Sequence, residues 1–113
     1  MVQLLVRLTA APGRVEDTLQ ALTRVRVGAQ LDPESLRTHL GIDADEPDTL
    51  VYIEEWSDHD RLAHRIQSAS FRSLLGLLET SIAAPVLEVR DVASIGGLDY
   101  VARVRRALEG GTG

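Results

Sequence analysis

The stretch that decides the fold is LVYIEEWSDHDRLAHRIQSASFRSLLGLL, residues 50–78. Its beginning is rich in β-branched and aromatic residues, which predicts a strand over residues 49–56. Ser57 or Asp58 then offers the short polar side chain that caps a helix, so the chain is expected to change from strand to helix here. Trp56, the only tryptophan of the chain, stands at this junction.

The helix after this junction is predicted to be broken in its middle. Leu62 and Ile66 are the expected buried positions of its first part. The polar residues 67–70 favour a kink or a second helix cap. Apolar residues then resume helical spacing from Phe71 to Ile82, which predicts a second helical part.

The segments on either side complete a β-α-β-β-α-β order. Alternating apolar residues predict further strands over residues 2–9, 36–42 and 86–92. A helix is expected from about Pro12, a favourable first residue, to Gly28, a plausible stop. This order is the ferredoxin-like split pattern, an α+β fold with a four-stranded antiparallel sheet and both helices on one face.

The 113 residues are expected to form one such domain, residues 1–95, followed by an addition over residues 96–113. The addition is predicted to be an amphipathic C-terminal helix with a flexible tail. Its apolar stripe consists of Leu98, Val101, Val104 and Leu108. The helix is either a packing extension with a solvated basic face, or a lid or dimer clasp, because the stripe must be buried somewhere.

Composition excludes several classes of function. The net charge of −5 argues against a nucleic-acid partner, because phosphate binding needs a basic surface. The lack of cysteine excludes disulfides and thiolate sites. The sequence contains no run of about 18 apolar residues, so no membrane span is predicted. The N-terminal sequence lacks the pattern of a signal peptide. A cytoplasmic protein is therefore expected.

The predicted sheet has apolar residues on both faces. Whichever side of the first strand faces the helices, Leu5 or the pair Leu4 and Val6 remains on the other side. A sheet with two apolar faces needs a second cover. The simplest cover is another copy of the same sheet, so we expect a homodimer with twofold symmetry.

The candidate site residues lie near the strand–helix junction, and each has an alternative role. His64 could accept a proton near neutral pH, or it could be a helix-surface or dimer-interface histidine. Trp56 could form the wall of an aromatic pocket or anchor the core. Tyr52, on the same strand face, could orient a substrate or place its polar tip at the core boundary. Glu54 could act as a base or pair with Arg7 or Arg37.

Metal and phosphate sites are not expected. Asp58, His59 and Asp60 are potential ligands, but adjacent residues of a helix do not converge on one ion. No glycine-rich phosphate loop, dinucleotide fingerprint or nucleophile elbow is present. The few candidate groups suit chemistry without a cofactor, and they suit a protein that is not an enzyme equally well.

The sequence resembles the antibiotic biosynthesis monooxygenase domain of the dimeric α/β-barrel superfamily over about residues 2–92. The resemblance rests on Glu54-Glu55-Trp56, on His64 and on the run Ser68-Ala69-Ser70-Phe71. It implies a monooxygenase that needs neither metal nor flavin and acts on an aromatic or quinol small molecule. It also implies His64 as the catalytic residue, with Trp56, Tyr52, Phe71 and Ser70 binding the substrate. The alternative is a non-catalytic ligand-binding or dimerisation module of the same fold.

The chain departs from the family pattern at several positions. Ser70 stands where a second histidine is common, and Leu31-Asp32-Pro33 replaces a common glycine before the second strand. Val6 and Leu75 stand where the haem-degrading branch has an asparagine and an iron-binding histidine. Neither side chain can do that work, so haem degradation is not expected.

Overall fold

The fold has four strands and four helices, and the computed structural model describes it over residues 1–110. The elements in chain order are β1 (Val2–Thr9), α1 (Val15–Gln30), β2 (Ser35–Ile42), β3 (Thr49–Trp56), α2 (His59–Ile66), α3 (Ala69–Glu79), β4 (Val86–Asp91) and α4 (Leu98–Gly110). The flexible tail predicted after α4 falls on residues 111–113, which lie outside the described part of the chain.

The sheet has the order β2-β3-β1-β4, and every neighbouring pair is antiparallel. The predicted ferredoxin-like α+β fold, with an additional C-terminal helix, is therefore confirmed. β1 and β3 are the central strands because they carry apolar residues on both faces. Their register sets Val6 opposite Tyr52 and Leu4 opposite Glu54, so these four side chains point to the same face of the sheet.

That face is the helix side of the sheet and holds the core. The buried apolar side chains come from alternate positions of β1 and β3 and from the inner faces of α1, α2 and α3, and the largest are Trp56, Tyr52, Leu4, Leu8, Leu22, Leu50 and Leu74. Each fully buried aliphatic or aromatic side chain stabilises the fold by about 1.5–3 kcal/mol. The side of β1 that faces the helices is the one with Val2, Leu4, Val6 and Leu8.

The predicted break in the second helix is confirmed at residues 67–68. Asp58 caps α2 by accepting a hydrogen bond from the Arg61 amide, and Ser68 caps α3 by accepting one from the Phe71 amide. Each cap satisfies an amide that has no partner within its own helix. The break lets α2 and α3 run in different directions over the sheet.

The sequence interpretation was wrong on three details of the helices. α1 continues past Gly28 to Gln30, and α3 ends at Glu79, before Ile82. On α2 the buried partner of Leu62 is Arg65, whereas Ile66 is exposed. Arg65 and Ile66 stand one helical turn from Leu62, and a buried acidic side chain in the sheet favours the arginine, as described below.

No helix layer within residues 1–110 covers the opposite face of the sheet, here called the open face. Leu5, Val51 and Ile53 lie half-buried at its centre. Glu55 also points to this face, where it accepts a hydrogen bond of 3.1 Å from Gln3 Nε2 and lies 3.8 Å from the Arg37 guanidinium. An apolar centre with charged groups beside it is the composition of a protein–protein interface.

α4 stands apart from the rest of the fold. It has no buried residue and no extensive contact with another element of the described chain. The described molecule is 57 Å long, and its radius of gyration of 17.6 Å exceeds the value of about 13 Å for a compact domain of this length. Within residues 1–110, no helix is long and apolar enough to cross a membrane.

Candidate functional site

A concave site lies between α1 and α3. This cleft has a volume of about 510 Å³. It is lined mainly by apolar side chains, with a few polar groups among them: Ala21, Arg24, Val25, Val27, Gly28, Leu31, Ser70, Ser73 and Leu77. A concave, mostly apolar site with few polar groups is the usual form of a small-molecule pocket.

The close approach of α1 and α3 forms the floor of the cleft. A Cβ atom added at Gly28 would lie 2.2 Å from Ser70 Oγ and 2.8 Å from Ser70 Cβ. Only a glycine permits this approach. The two helices therefore touch at Gly28 and Ser70 and leave a groove above the contact.

The polar groups of the cleft are a guanidinium and two hydroxyls. Arg24 comes from α1, and Ser70 and Ser73 come from α3. No carboxylate among the described residues lies within ion-pair distance of Arg24. Its positive charge is therefore available to an anionic group of a ligand.

Behind the cleft wall lies a buried polar cluster centred on Glu54. The Glu54 carboxylate accepts hydrogen bonds from Tyr52 Oη at 2.6 Å and from Trp56 Nε1 at 3.0 Å. It also accepts hydrogen bonds from Arg65 Nη2 at 2.9 Å and Nε at 3.1 Å. No described buried side-chain nitrogen or oxygen lacks a hydrogen-bond partner. The carboxylate is thus fully occupied as a hydrogen-bond acceptor.

Arg65 connects this cluster to the cleft wall. Its Nη2 atom donates a hydrogen bond of 3.1 Å to the carbonyl oxygen of Val25, and its Nη1 atom donates one of 3.3 Å to Ser68 Oγ. The Phe71 ring lies beneath the guanidinium, with its centroid 5.9 Å from Arg65 Cζ, which is cation–π geometry. Val25 also lines the cleft, so the Arg65 guanidinium lies directly behind the cleft wall.

The electrostatics of the cluster follow from burial and pairing. Burial raises the pKa of Tyr52 far above its ordinary value of about 10, and the neighbouring Glu54 carboxylate raises it further. Burial lowers the pKa of Arg65, but the hydrogen bonds and charge of Glu54 outweigh this effect, so the pKa is raised. At neutral pH Tyr52 is therefore neutral and Arg65 is charged.

Three of the predicted site residues meet in this cluster. Tyr52 and Trp56 are completely buried against Glu54, and Phe71 packs below Arg65. Ser70 instead lines the cleft. His64 lies exposed on α2 and is not among the residues that line the cleft. The structure therefore does not bring His64 to the same environment as Trp56.

The expected partner of Glu54 was wrong. Arg7 and Arg37 lie on the open face, where Arg7 pairs with Asp43 at 2.7 Å. Glu54 points to the helix side, so Arg65 is the arginine that it can reach.

Sequence reasoning also missed the residues that shape the cleft, above all Arg24 and Gly28. In the sequence, Arg24 is an ordinary polar position of a helix, and Gly28 has the pattern of a helix end. A buried glutamate on the core face of β3 does signal a buried cation on a covering helix, because such a charge is stable only when it is paired. That signal could have identified Arg65.

A family model described as antibiotic biosynthesis monooxygenase matches residues 1–75. The chain belongs to this family. The match confirms the resemblance based on the strand–helix junction, which lies within the matched residues. No protein with a curated functional description matches this family member.

Solved structures share the fold of this antibiotic biosynthesis monooxygenase family member. One antibiotic biosynthesis monooxygenase is 19% identical, with a TM-score of 0.72, 83% of this chain covered and 100% of the other. A variant of SnoaB, a cofactor-independent oxygenase from Streptomyces nogalater, is 18% identical, with a TM-score of 0.71 and coverage of 83% and 94%. A conserved protein from Methanosarcina mazei Go1 is 17% identical, with a TM-score of 0.70 and coverage of 79% and 89%. At these identities the likeness is one of fold.

Proposed function

We propose that this family member is a cofactor-independent monooxygenase that oxidises a small aromatic or quinol molecule bound in the α1–α3 cleft. The observation that carries the proposal is the combination of an apolar cleft of about 510 Å³ with the Arg24 guanidinium at its wall. Family membership supports the reaction type. The cleft supports the ligand class, because aromatic rings need apolar walls and phenols need a few polar partners.

The proposed reaction begins with ionisation of the substrate. The positive charge of Arg24 stabilises a bound phenolate and so lowers the pKa of the bound phenol. The Ser70 and Ser73 hydroxyls donate hydrogen bonds that orient the oxygen atoms of the ring. The proton passes to water, and His64 stays the proposed catalytic residue as the acceptor that this water reaches outside the cleft, because His64 is not among the cleft-lining residues.

The ionised substrate is electron-rich and reacts with dioxygen itself. With an anthrone-like substrate, one oxygen atom enters the ring CH₂ carbon to give a carbonyl, and the second leaves as water with the two hydrogens of that carbon. The apolar walls from Val25, Val27 and Leu77 contact the reacting ring and reduce its exposure to water. The buried residues Tyr52, Trp56 and Phe71 act from behind this wall by fixing Arg65 and the α1–α3 packing.

The direct test is oxygen uptake with a panel of anthrone-like and hydroquinone substrates. Arg24→Gln is expected to lower kcat/KM by about tenfold or more, because it removes a charged donor. Arg72→Gln is the matched control, since Arg72 lies on α3 outside the cleft lining and is expected to leave kcat/KM unchanged. His64→Ala tests the proposed proton acceptor. Absence of oxygen uptake with every substrate would overturn the proposed oxygenase.

A second candidate function is a non-catalytic ligand-binding module. One specific observation favours it: no imidazole or carboxylate among residues 1–110 lines the cleft, so the only ionisable side chain there is Arg24. Calorimetry with the same substrates separates the two functions. Binding that Arg24→Gln weakens, without oxygen consumption by the wild-type protein, would identify the binding module.

We also propose that the protein acts as a homodimer through the open face. The support is the half-buried apolar centre formed by Leu5, Val51 and Ile53, which no layer of the described chain covers. A nucleic-acid partner is not proposed, because the net charge is −5. The cytoplasmic location stays a prediction.

A further inference from the structure

The helix side of β4 is an uncovered apolar surface. Leu87 lies opposite Val6 and Val89 opposite Leu4, so both point to the face that carries the helices. Val6 and Leu4 are completely buried, whereas Leu87 is 40% and Val89 45% exposed. In the described chain, α1 packs on β2 and β3, and no helix packs extensively on β4. The helix layer therefore ends before it reaches this edge of the sheet.

α3 extends this surface on its other side. Ser70, Ser73 and Leu77 face α1 across the cleft, so Leu75, on the opposite side of α3, faces the β4 edge. Leu75 is exposed. Ile82 is also exposed, and its amide donates to the Thr9 carbonyl at the end of β1, the neighbour of β4. We call the surface formed by Leu75, Ile82, Leu87 and Val89 the β4 strip.

α4 presents an apolar surface of matching size. Val101, Val104 and Leu108 recur at helical spacing with Leu98 at one end, and all four are exposed. The thirteen residues of α4 span about 20 Å, at about 1.5 Å per residue. The six residues of β4 also span about 20 Å, at about 3.3 Å per residue. One helix therefore covers the strip along its full length.

The path of the chain leads α4 away from its own β4 strip. Ile95, in the connection before α4, lines a surface cavity of about 220 Å³ together with Met1, Leu36, Arg37 and Glu55, so this connection crosses the open-face side of the sheet towards β2. β2 and β4 are the two opposite edges of the sheet. They are three strand spacings apart, about 14 Å. Because α4 begins beside β2, a second copy can present its β4 strip to this helix more directly than the same copy can.

We propose that α4 of one copy packs on the β4 strip of a second copy, and that the exchange is reciprocal in a twofold dimer. Such an isologous contact buries both apolar surfaces of both copies and leaves no open end for further association. The charges agree with this contact. α4 carries three arginines and two acidic residues, whereas the whole chain has a net charge of −5. The proposal does not depend on the proposed oxygenase activity.

Engineered disulfides test this contact, because the chain has no cysteine of its own. The variant Val89→Cys with Val101→Cys places one thiol on the β4 strip and one on the apolar side of α4. Mild oxidation is expected to convert most of the protein to a covalent dimer that reductant separates. A disulfide forms only where Cα atoms come within about 7 Å, so the result reports a direct contact.

The matched control moves the α4 thiol to the polar side of the same helix. Val89→Cys with Arg106→Cys is expected to show little covalent dimer. Val101→Cys alone is also expected to stay uncross-linked, and a covalent dimer of this single variant would reveal a contact between two α4 helices and overturn the proposal. A disulfide within one monomer of the variant Val89→Cys with Val101→Cys would also overturn the proposal, since α4 would then cover its own strip. The absence of any disulfide in this variant would overturn the proposal as well.

A solution measurement checks the energetic role of the contact. Val101→Glu with Val104→Glu places two carboxylates on the apolar side of α4 and is expected to raise the Kd of the dimer by about tenfold or more. Asp99→Ala with Arg106→Ala changes the polar side and is expected to leave the Kd unchanged. Equal Kd values for the apolar-side variant and the wild type would contradict the proposal.

Discussion

Glu54 is the residue on which the strand–helix junction depends. It binds Tyr52 and Trp56 from its own strand and Arg65 from α2, and all four side chains are buried. A buried ion pair adds little net stability compared with well-packed apolar residues, but loss of one partner leaves the other charge unpaired. The cluster therefore fixes the position of α2 against β3 more than it stabilises the fold as a whole.

Glu54→Gln is expected to destabilise the protein by about 3–5 kcal/mol, because it leaves the Arg65 guanidinium buried without a counter-charge. Urea unfolding measures the change in the free energy of unfolding. Glu55→Gln is the matched control on the neighbouring position of β3. Glu55 is also buried, but its partners Arg37 and His39 on the open face are exposed and keep their hydration after the substitution, so we expect a loss of less than about 1 kcal/mol. Equal losses for the two variants would show that the buried pair has no special role.

Tyr52 gives the stability of the protein a defined dependence on alkaline pH. Burial raises the pKa of Tyr52 in the folded state above its value in the unfolded chain. Above about pH 10 the unfolded chain loses this proton while the folded chain keeps it. The free energy of unfolding is then expected to fall as pH rises, by about 1.4 kcal/mol per pH unit from this group. Tyr52→Phe is expected to remove that part of the slope, which urea unfolding at several alkaline pH values would reveal. An unchanged slope would contradict the assignment.

At the scale of the elements, α1 and α3 approach closely where the backbone of Gly28 meets the side chain of Ser70. Gly28→Ala is expected to destabilise the protein by about 1–3 kcal/mol, because the added Cβ atom would overlap Ser70. This loss would occur although alanine favours a helix by about 1 kcal/mol over glycine. The same substitution should also widen the cleft and change ligand affinity. Thermal unfolding measures the stability.

Gly76→Ala is the matched control on α3. A Cβ atom at Gly76 would meet open space. Only the helix preference then acts, and the variant is expected to be about 0.5–1 kcal/mol more stable than the wild type. If both glycine variants gained stability, the predicted overlap between a Cβ atom at position 28 and Ser70 would be contradicted.

The elements show why the sequence predicted the fold better than the site. The alternation of apolar residues in β1 and their helical spacing in α1 follow from burial on one side, so both elements could be predicted from the sequence alone. On α2, helical periodicity allowed either Arg65 or Ile66 to be buried next to Leu62. Hydrophobicity favoured Ile66, but Arg65 is the buried residue. The cleft was not readable, because it depends on the approach of Gly28 to Ser70, which are far apart in the sequence.

At the scale of the whole molecule, the sheet has two apolar surfaces that residues 1–110 leave uncovered. The open face and the β4 strip lie on opposite sides of the sheet. A protein that exposes apolar patches of this kind usually buries them in an interface. The two proposed contacts therefore involve different surfaces, and each is tested by its own variants.

Ile53→Asp tests the part of the dimer at the open face. A carboxylate at the apolar centre would be buried without a partner, so we expect the dimer to dissociate while the monomer stays folded. Light scattering at micromolar concentration measures the mass, and circular dichroism checks the fold. Asp45→Ala, in the exposed turn between β2 and β3, is the control and is expected to leave the mass unchanged. A monomeric wild-type protein would contradict the prediction.

The burial of Trp56 has a practical consequence for measuring these states. Because the chain has one tryptophan, its fluorescence comes from a single indole whose N–H is bound to Glu54. An emission spectrum would therefore report on the junction of β3 and α2 alone, while circular dichroism would report on all helices, including α4. Two different melting midpoints would show that α4 unravels independently of the domain, and one shared midpoint would show that they melt together.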